Sequence, residues 1–202
     1  MFHDRYEAGK SLSHRLIRYK NKKDALVLGI PRGGIVVASV LAQELNLPLE
    51  VALSKKIGYP GNEEYAIGAV TLFGEIVDEN FKDKGYIRKE VSDIRKKLNE
   101  RYERYVGKRS PSPIKGKTII LVDDGVATGK TIFAFLAVVK KEKPKKVIVA
   151  IPVGPQETVD ELKGKADEVI CLEMPENFYG IGQFYEQFEQ VDDEEVVRLL
   201  RR

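Results

Sequence analysis

Residues 117–131 limit the folds that this chain can adopt more than any other stretch does. An apolar run there leads directly into acids and small polar residues. Residues 118–122 are typical of a strand covered on both faces. Asp123 and Asp124 follow at its carboxyl end, where open α/β sheets bind ligands. The next residues predict a turn into a helix, whose N-terminal N–H groups and hydroxyls suit a phosphate. The stretch therefore predicts two carboxylates beside an anion site, a combination that suits a sugar phosphate.

Two common nucleotide-binding motifs have a different spacing. A Walker loop needs four residues between its first glycine and Gly-Lys-Ser/Thr. Here only three residues separate Gly125 from Gly129, and Asp124 occupies the position where the first glycine is required. A Rossmann fingerprint needs three glycines, and this turn has two. Neither a P-loop kinase nor a dinucleotide-binding enzyme is predicted.

Length and composition fit one globular domain of 202 residues. The net charge of +3 gives no case for nucleic acid by itself. The single cysteine, Cys171, excludes an intrachain disulfide, and its apolar neighbours predict a buried small hydrophobe. His3 and His14 have no partner at ligand spacing, so both are expected on the surface. No run of 18 apolar residues and no hydrophobic leader occur, so we expect a reducing cytoplasm.

Apolar runs alternate with helical patterns along the chain, which predicts an α/β fold with a doubly wound, mainly parallel sheet. Strands are predicted at 25–30, 49–53, 118–122, 146–151 and 168–172, with a hairpin at 66–71 and 75–78. Helices are predicted within 1–23, at 35–45, 86–106, 132–139 and 156–162, and after residue 195. A single domain is expected, with its core at about 24–79 and 114–172, a helical arm at 80–113, and a hood formed by 1–20 and 174–202.

A second candidate anion site follows the first predicted strand, at Pro31-Arg32-Gly33-Gly34. Two glycines at a strand-to-helix turn let the backbone approach a ligand closely. Arg32 adds a fixed positive charge. Because parallel strands open at the same edge of a sheet, we expect this turn to face the acid pair.

Lys55 and Lys56 follow the second predicted strand. The Gly/Pro-rich run after them, 57–65, predicts a flexible loop. The two ammonium groups could reach an anion at the sheet edge or remain solvated. The residues alone favour neither of these two roles.

The arm is strongly charged, with an apolar helical stripe at positions 87, 91, 94, 98, 102 and 105. Its basic residues between 87 and 109 are interleaved with acids. A solvated helix face is therefore expected rather than a nucleic-acid surface.

The tail is unusually aromatic around its two glycines. Phe178, Tyr179 and Tyr185 are candidates to stack on a flat base. They are equally candidates to pack a lid, and the sequence does not separate these two roles.

The stretch 117–131 closely resembles the PRPP (phosphoribosyl pyrophosphate) motif of type I phosphoribosyltransferases: an apolar strand, two acids, a short link and Thr-Gly-x-Thr. Further segments resemble a subgroup of stand-alone phosphoribosyltransferase-domain proteins over nearly the full length. These segments are Phe2-His-Asp-Arg5, Glu7-Ala-Gly9, Gly29-Ile-Pro-Arg-Gly-Gly34, Lys56-Ile-Gly-Tyr-Pro-Gly-Asn62, Ala66-Ile-Gly-Ala-Val70, Gly182-Gln-Phe-Tyr185 and Phe188.

The resemblance implies an enzyme that binds PRPP with Mg²⁺, while a nitrogen nucleophile displaces pyrophosphate at the anomeric carbon. It implies that Asp123 and Asp124 hold the ribose hydroxyls and, through them or through water, the Mg²⁺ shell. The residues implied for the 5′-phosphate are Gly125, Val126, Ala127, Thr128, Gly129, Lys130 and Thr131. Those implied for pyrophosphate are Arg32, Gly33, Gly34, Lys55 and Lys56. The catalytic set implied by the family is Asp123, Asp124, Arg32 and Lys56.

One departure concerns the acceptor. Enzymes for 6-oxopurines commonly place an acid where this chain has Ala127, so use of hypoxanthine or guanine is disfavoured. A small nitrogenous acceptor is expected, and its identity stays open. A non-catalytic sensor of PRPP or nucleotides on the same fold is the alternative. Dimers are common among such enzymes, and the sequence leaves a homodimer open.

Overall fold

The computed structural model describes residues 1–201 and contains a five-stranded parallel sheet. The strands of this sheet are β1 (Ala25–Gly29), β2 (Leu49–Val51), β6 (Thr118–Val122), β7 (Lys146–Val153) and β8 (Glu168–Glu173). They lie side by side in the order β2-β1-β6-β7-β8. The helices are α1 (Arg5–Arg15), α2 (Gly33–Leu45), α3 (Lys84–Val106), α4 (Lys130–Val139), α5 (Gln156–Lys163) and α6 (Asp193–Leu200). The predicted α/β class and parallel sheet are confirmed.

Helices cover both faces of the sheet, as the doubly wound prediction requires. Alternate residues of the central strands point to opposite sides. Leu26, Ile119 and Val147 pack with α4 and α5 on one face. Val27 and Ile120 pack with α1 and α2 on the other. The central strand β6 is buried at all five positions, which leaves its carboxyl end as the part of the strand that opens to a ligand.

A second, antiparallel sheet contains β3 (Ser54–Tyr59), β4 (Asn62–Thr71) and β5 (Glu75–Val77). The predicted hairpin at 66–71 and 75–78 is confirmed by the pairing of β4 with β5. The loop predicted at 57–65 is wrong, because most of that run lies in paired strands. Ile57, Gly58 and Tyr59 pair with Gly68, Ala66 and Asn62. Gly58 also approaches the Glu63 backbone too closely for any larger residue. Within this run, only Gly61 has the positive φ typical of a turn, at +79°.

The predicted arm is the 23-residue helix α3. Its apolar stripe packs on the antiparallel sheet and on α6. At its carboxyl end the carboxylate of Glu50, fully buried on β2, accepts hydrogen bonds from Tyr102 Oη at 3.1 Å and Arg109 Nη2 at 3.0 Å. Arg95 pairs with Glu75 on the exposed side. The exposed pair of Arg95 and Glu75 fits the prediction of a solvated face.

Cys171 on β8 is half-buried against the core, with its thiol 3.2 Å from the Glu173 carbonyl oxygen. Burial raises the pKa of this thiol to about 11. Because the thiolate is the nucleophile, we expect Cys171 to react with a thiol reagent at pH 8 at least about tenfold more slowly in the native chain than in urea. The rate of 5,5′-dithiobis(2-nitrobenzoate) labelling measures this, and equal rates would contradict it.

Candidate active site

Asp123 and Asp124 lie directly beyond the carboxyl end of β6. Asp123 is partly exposed, whereas Asp124 is 9% exposed. The Asp124 N–H donates to Asp123 Oδ1 at 2.9 Å, which orients the first carboxylate. Burial, and then the negative charge of Asp124, raise the pKa of Asp123 well above its ordinary value. Two carboxylates are thus crowded at a place where a hydroxyl donor or a hydrated cation would stabilise their charge.

The turn between β1 and α2 presses against this acid pair. A Cβ atom on Gly33 would overlap Asp124 Oδ2 and lie 2.7 Å from its Cγ, and one on Gly34 would lie 2.7 Å from Asp123 Oδ1. The Pro31–Arg32 peptide bond is cis, and Arg32 is exposed beside the pair of glycines. The two loops expected at one edge of the sheet are therefore in contact, and only glycine fits between them.

The loop after the acids ends at Gly129, which caps α4 in the left-handed conformation at φ +67°. A side chain there would also meet Phe133, 2.6 Å away. The side chains of Thr128, Lys130 and Thr131 are exposed around this helix start. The first N–H groups of a helix have no partner within the helix. Amide donors, two exposed hydroxyls and an exposed ammonium group are therefore available at this helix start.

Not every residue of the loop is free to contact an anion. The Val126 N–H donates to the Val153 carbonyl oxygen at 2.9 Å, and the Val126 side chain lies in the core. The Ala127 carbonyl oxygen accepts a hydrogen bond from Thr158 Oγ1 at 2.8 Å. Val126 therefore holds the loop on β7, and the exposed anion-facing part begins at Ala127.

Lys55 and Lys56 lie within β3 instead of following a strand of the central sheet, which corrects their predicted setting. Strand alternation puts Lys55 on the same face as Ile57, which packs with the apolar stripe of α3. Lys56 points to the opposite face. The two lysines are therefore not equivalent.

The tail packs over the acid loop. Tyr185 is 6% exposed, its ring lies 5.6 Å from that of Phe2 and 5.1 Å from that of Phe188, and its hydroxyl donates to the Asp124 carbonyl oxygen at 2.7 Å. The Tyr185 ring is thus buried among protein groups, and the packing role fits it better than base stacking.

The other two aromatic candidates differ from Tyr185. Phe178 stacks on Phe184 with the ring centroids 5.6 Å apart. Tyr179 is 90% exposed. Ile181, a tail residue, packs against the acid loop. A Cβ atom placed on Gly125 would lie only 2.7 Å from Ile181 Cγ2. Ile181 is therefore a tail residue in direct contact with the candidate site.

Arg5 belongs to the site although the sequence suggested no role for it. Its Nε donates to Asp124 Oδ2 at 2.7 Å. Phe2-His-Asp-Arg5 was one of the segments shared with the resembling subgroup, and that shared segment was the available signal. Across residues 1–201, no group of three or more histidine, cysteine or acidic side chains is placed to hold a metal ion.

Comparison with known proteins agrees with this geometry. A family model described as the phosphoribosyl transferase domain matches residues 2–189. The chain therefore belongs to the phosphoribosyl transferase family. This membership confirms the predicted family.

Individual relatives extend over the whole chain. TT1426 of Thermus thermophilus is 40% identical, with a TM-score of 0.87 over 98% of this chain and 97% of that one. The provisionally assigned phosphoribosyl transferase Rv0571c of Mycobacterium tuberculosis is 38% identical over 100% of this chain, and this chain spans only 47% of that protein's length. A purine phosphoribosyltransferase of Pyrococcus horikoshii shares the fold at 21% identity, with a TM-score of 0.51 over 92% of this chain and 91% of that one.

Within the described chain, residues 1–201, no helix is long and apolar enough to cross a membrane.

Proposed function

We propose that this chain transfers the phosphoribosyl group of PRPP to a nitrogenous acceptor and releases pyrophosphate. The observation that supports this most strongly is the contact between the Gly33–Gly34 turn and the acid pair. It brings two glycine-lined anion loops and two carboxylates to one edge of the sheet. PRPP has phosphate at both ends of a ribose and therefore matches such an arrangement.

The loop from Ala127 to Thr131 is the proposed 5′-phosphate site. Its support is the start of α4, where amide donors and the exposed side chains of Thr128 and Thr131 are available to an anion. A phosphate there interacts favourably with the positive end of the helix dipole. Gly125 and Val126 would shape this loop without contacting the anion, since the Val126 amide is already bonded.

The exposed Arg32, with the amides of Gly33 and Gly34, is the proposed pyrophosphate site. Lys56 is the better placed of the two lysines to add positive charge, because Lys55 shares a face with Ile57 and α3. A neutralised leaving group lowers the barrier for breaking the bond between the anomeric carbon and pyrophosphate oxygen.

The carboxylates of this site fit the Mg²⁺ ion that PRPP would bring with it. Mg²⁺ is usually held by one or two carboxylates together with substrate phosphates and waters. Asp123 and Asp124 supply the carboxylates, directly or through the ribose hydroxyls. When bound, the ion would neutralise charge on the pyrophosphate.

The chemistry proposed for the protein is electrostatic. As the bond from the anomeric carbon to pyrophosphate breaks, the carbon gains positive character. A nitrogen of the acceptor then bonds to it and releases its proton to solvent. The carboxylate pair stabilises the positive ribose ring, and the Arg32 turn stabilises the departing anion. No protein nucleophile is needed, which fits a chain whose histidines are exposed and whose thiol is half-buried.

The acceptor would enter on the tail side, where Ile181 contacts the acid loop. The stacked pair Phe178 and Phe184 belongs to the same tail segment. We therefore propose Phe178 and Tyr179, ahead of Tyr185, as the stacking candidates of a hood. Cytoplasmic nucleotide salvage is the setting that the family suggests for such a reaction.

The test is a screen for pyrophosphate release from PRPP with Mg²⁺ across purines, pyrimidines and small amides. We expect turnover with at least one acceptor and its loss in Arg32→Ala. PRPP binding without turnover on any acceptor would favour the non-catalytic sensor instead.

A further inference from the structure

The guanidinium of Arg5 is buried against Asp124. The two side chains are 10% and 12% exposed, and Nε lies 2.7 Å from Oδ2. Arg5 Nη1 also donates to the Glu189 carbonyl oxygen at 2.9 Å. The guanidinium carbon lies 3.9 Å from the ring centroid of Phe188. Contacts from the tail and from the acid loop therefore hold this one charge in place.

The helix that bears Arg5 is itself fixed beside the Gly33 turn. Helix α1 packs on α2 so closely that a Cβ on Gly9 would lie 2.8 Å from both Val37 O and Val40 Cβ. The chain just before α1 is paired with the tail, since the Phe2 N–H donates to the Phe184 carbonyl oxygen at 2.8 Å. Arg5 thus has little freedom to leave Asp124.

Such a pair is a poor source of stability, because the cost of desolvating two charges offsets most of their attraction. Its geometric consequence is clearer. Asp124 Oδ2 is enclosed by Arg5 and Gly33, while Asp123 stays partly exposed and is oriented by the Asp124 N–H. The two adjacent acids therefore face different surroundings.

We propose that Arg5 is a positioning residue that holds Asp124 inside the protein and leaves Asp123 as the carboxylate that contacts the ribose hydroxyls of PRPP. This inference rests on the proposed function and deepens it. The acid pair has divided roles: Asp123 binds the ligand, and Asp124 links the N-terminal helix and the tail to the backbone that orients Asp123.

The first test replaces Arg5. Without its cation, Asp124 adds an unpaired negative charge next to the place where an anionic ligand binds. We expect Arg5→Met to weaken PRPP binding about 10- to 100-fold, as loss of a supporting contact does in other sites. Arg5→Lys should restore part of the affinity. Arg15→Met, at an exposed arginine of the same helix, should stay within about twofold of the wild type.

Titration calorimetry with PRPP and Mg²⁺ provides the measurement, at a temperature where circular dichroism shows every variant folded. A second comparison uses the acids. Asp123→Asn should weaken binding more than Asp124→Asn does. The double variant Arg5→Met with Asp124→Asn should lose no more affinity than the worse single variant, because both changes break one ion pair.

The outcomes separate cleanly. Wild-type chain that binds no PRPP overturns both the proposed function and this inference. Wild-type binding together with an Arg5→Met affinity equal to that of Arg15→Met overturns the inference alone, even if Arg5→Met unfolds at a lower temperature. An Asp124→Asn loss as large as that of Asp123→Asn overturns it as well, because Asp124 would then contact the ligand.

Discussion

Asp123→Asn is expected to abolish most PRPP binding and to raise the thermal stability of the chain at neutral pH. A hydrogen bond to a charged group contributes about 1.5–3 kcal/mol, so loss of the carboxylate should weaken PRPP binding by roughly 10- to 150-fold. The gain in stability follows from the raised pKa of Asp123, whose ionised form is disfavoured by burial and by Asp124.

The raised pKa of Asp123 in the folded chain determines how the stability depends on pH. The folded chain holds the Asp123 proton more tightly than the unfolded chain does. The resulting stability is present below the unfolded pKa, near 3.8, and is lost as pH rises through the higher folded pKa. Asparagine keeps the shape without the charge, so at pH 7 we expect the melting temperature to rise by about 2–4 °C for each 1 kcal/mol recovered.

Calorimetric melting at pH 7 and near pH 3.5 tests this, with Asp93→Asn on the exposed face of α3 as the matched control. The difference between Asp123→Asn and the wild type should disappear at the lower pH, where both side chains are neutral. A variant that is less stable than the wild type at pH 7 would contradict the expectation.

Gly33→Ala is expected to have the other large effect, on stability and binding together. The added methyl group would overlap Asp124 Oδ2 and lie 2.9 Å from Arg5 Nε, so the acid, the arginine or the turn must move. Overpacking of this kind costs about 1–3 kcal/mol, which lowers the melting temperature by roughly 2–12 °C. PRPP binding should fall at least about tenfold, because the turn and the acid pair would no longer fit together.

Gly180→Ala is the matched control, since that glycine has extended backbone and nothing within 4 Å of an added Cβ. It should melt within about 2 °C of the wild type. If Gly33→Ala behaved like Gly180→Ala in both melting and PRPP calorimetry, the close contact between the two loops would have no functional meaning.

The local sequence pattern predicted the parallel sheet because its central strands β1, β6 and β7 are almost entirely buried. The strand at 118–122 and the acids after it occupy the predicted positions, since burial on both faces imposes a continuous apolar run. The run 57–65 was misjudged because its glycines and proline indicate a loop locally. The strand pairing of this run, for example of Ile57 with Gly68, depends on residues farther along the chain.

The contacts that support the site could not be predicted from the local sequence, for a similar reason. Arg5 and Asp124 are 119 residues apart, and Tyr185 reaches the Asp124 carbonyl oxygen across 61 residues. Apart from its place in the shared segment Phe2-His-Asp-Arg5, nothing in the local sequence distinguishes Arg5 from the other arginines of the N-terminal region. Only the packing of α1 on α2 and the pairing of the tail with Phe2 bring these groups together.

The most direct test of the proposed site is calorimetric titration of the wild-type chain with PRPP in the presence of Mg²⁺. We expect saturable binding at one site with a dissociation constant below about 1 mM, the range usual for enzyme substrates. Ribose 5-phosphate and pyrophosphate should each bind more weakly than PRPP, because each would occupy only one of the two anion loops. Absence of PRPP binding, or PRPP binding no tighter than pyrophosphate alone, would contradict a site that spans both loops and the acid pair.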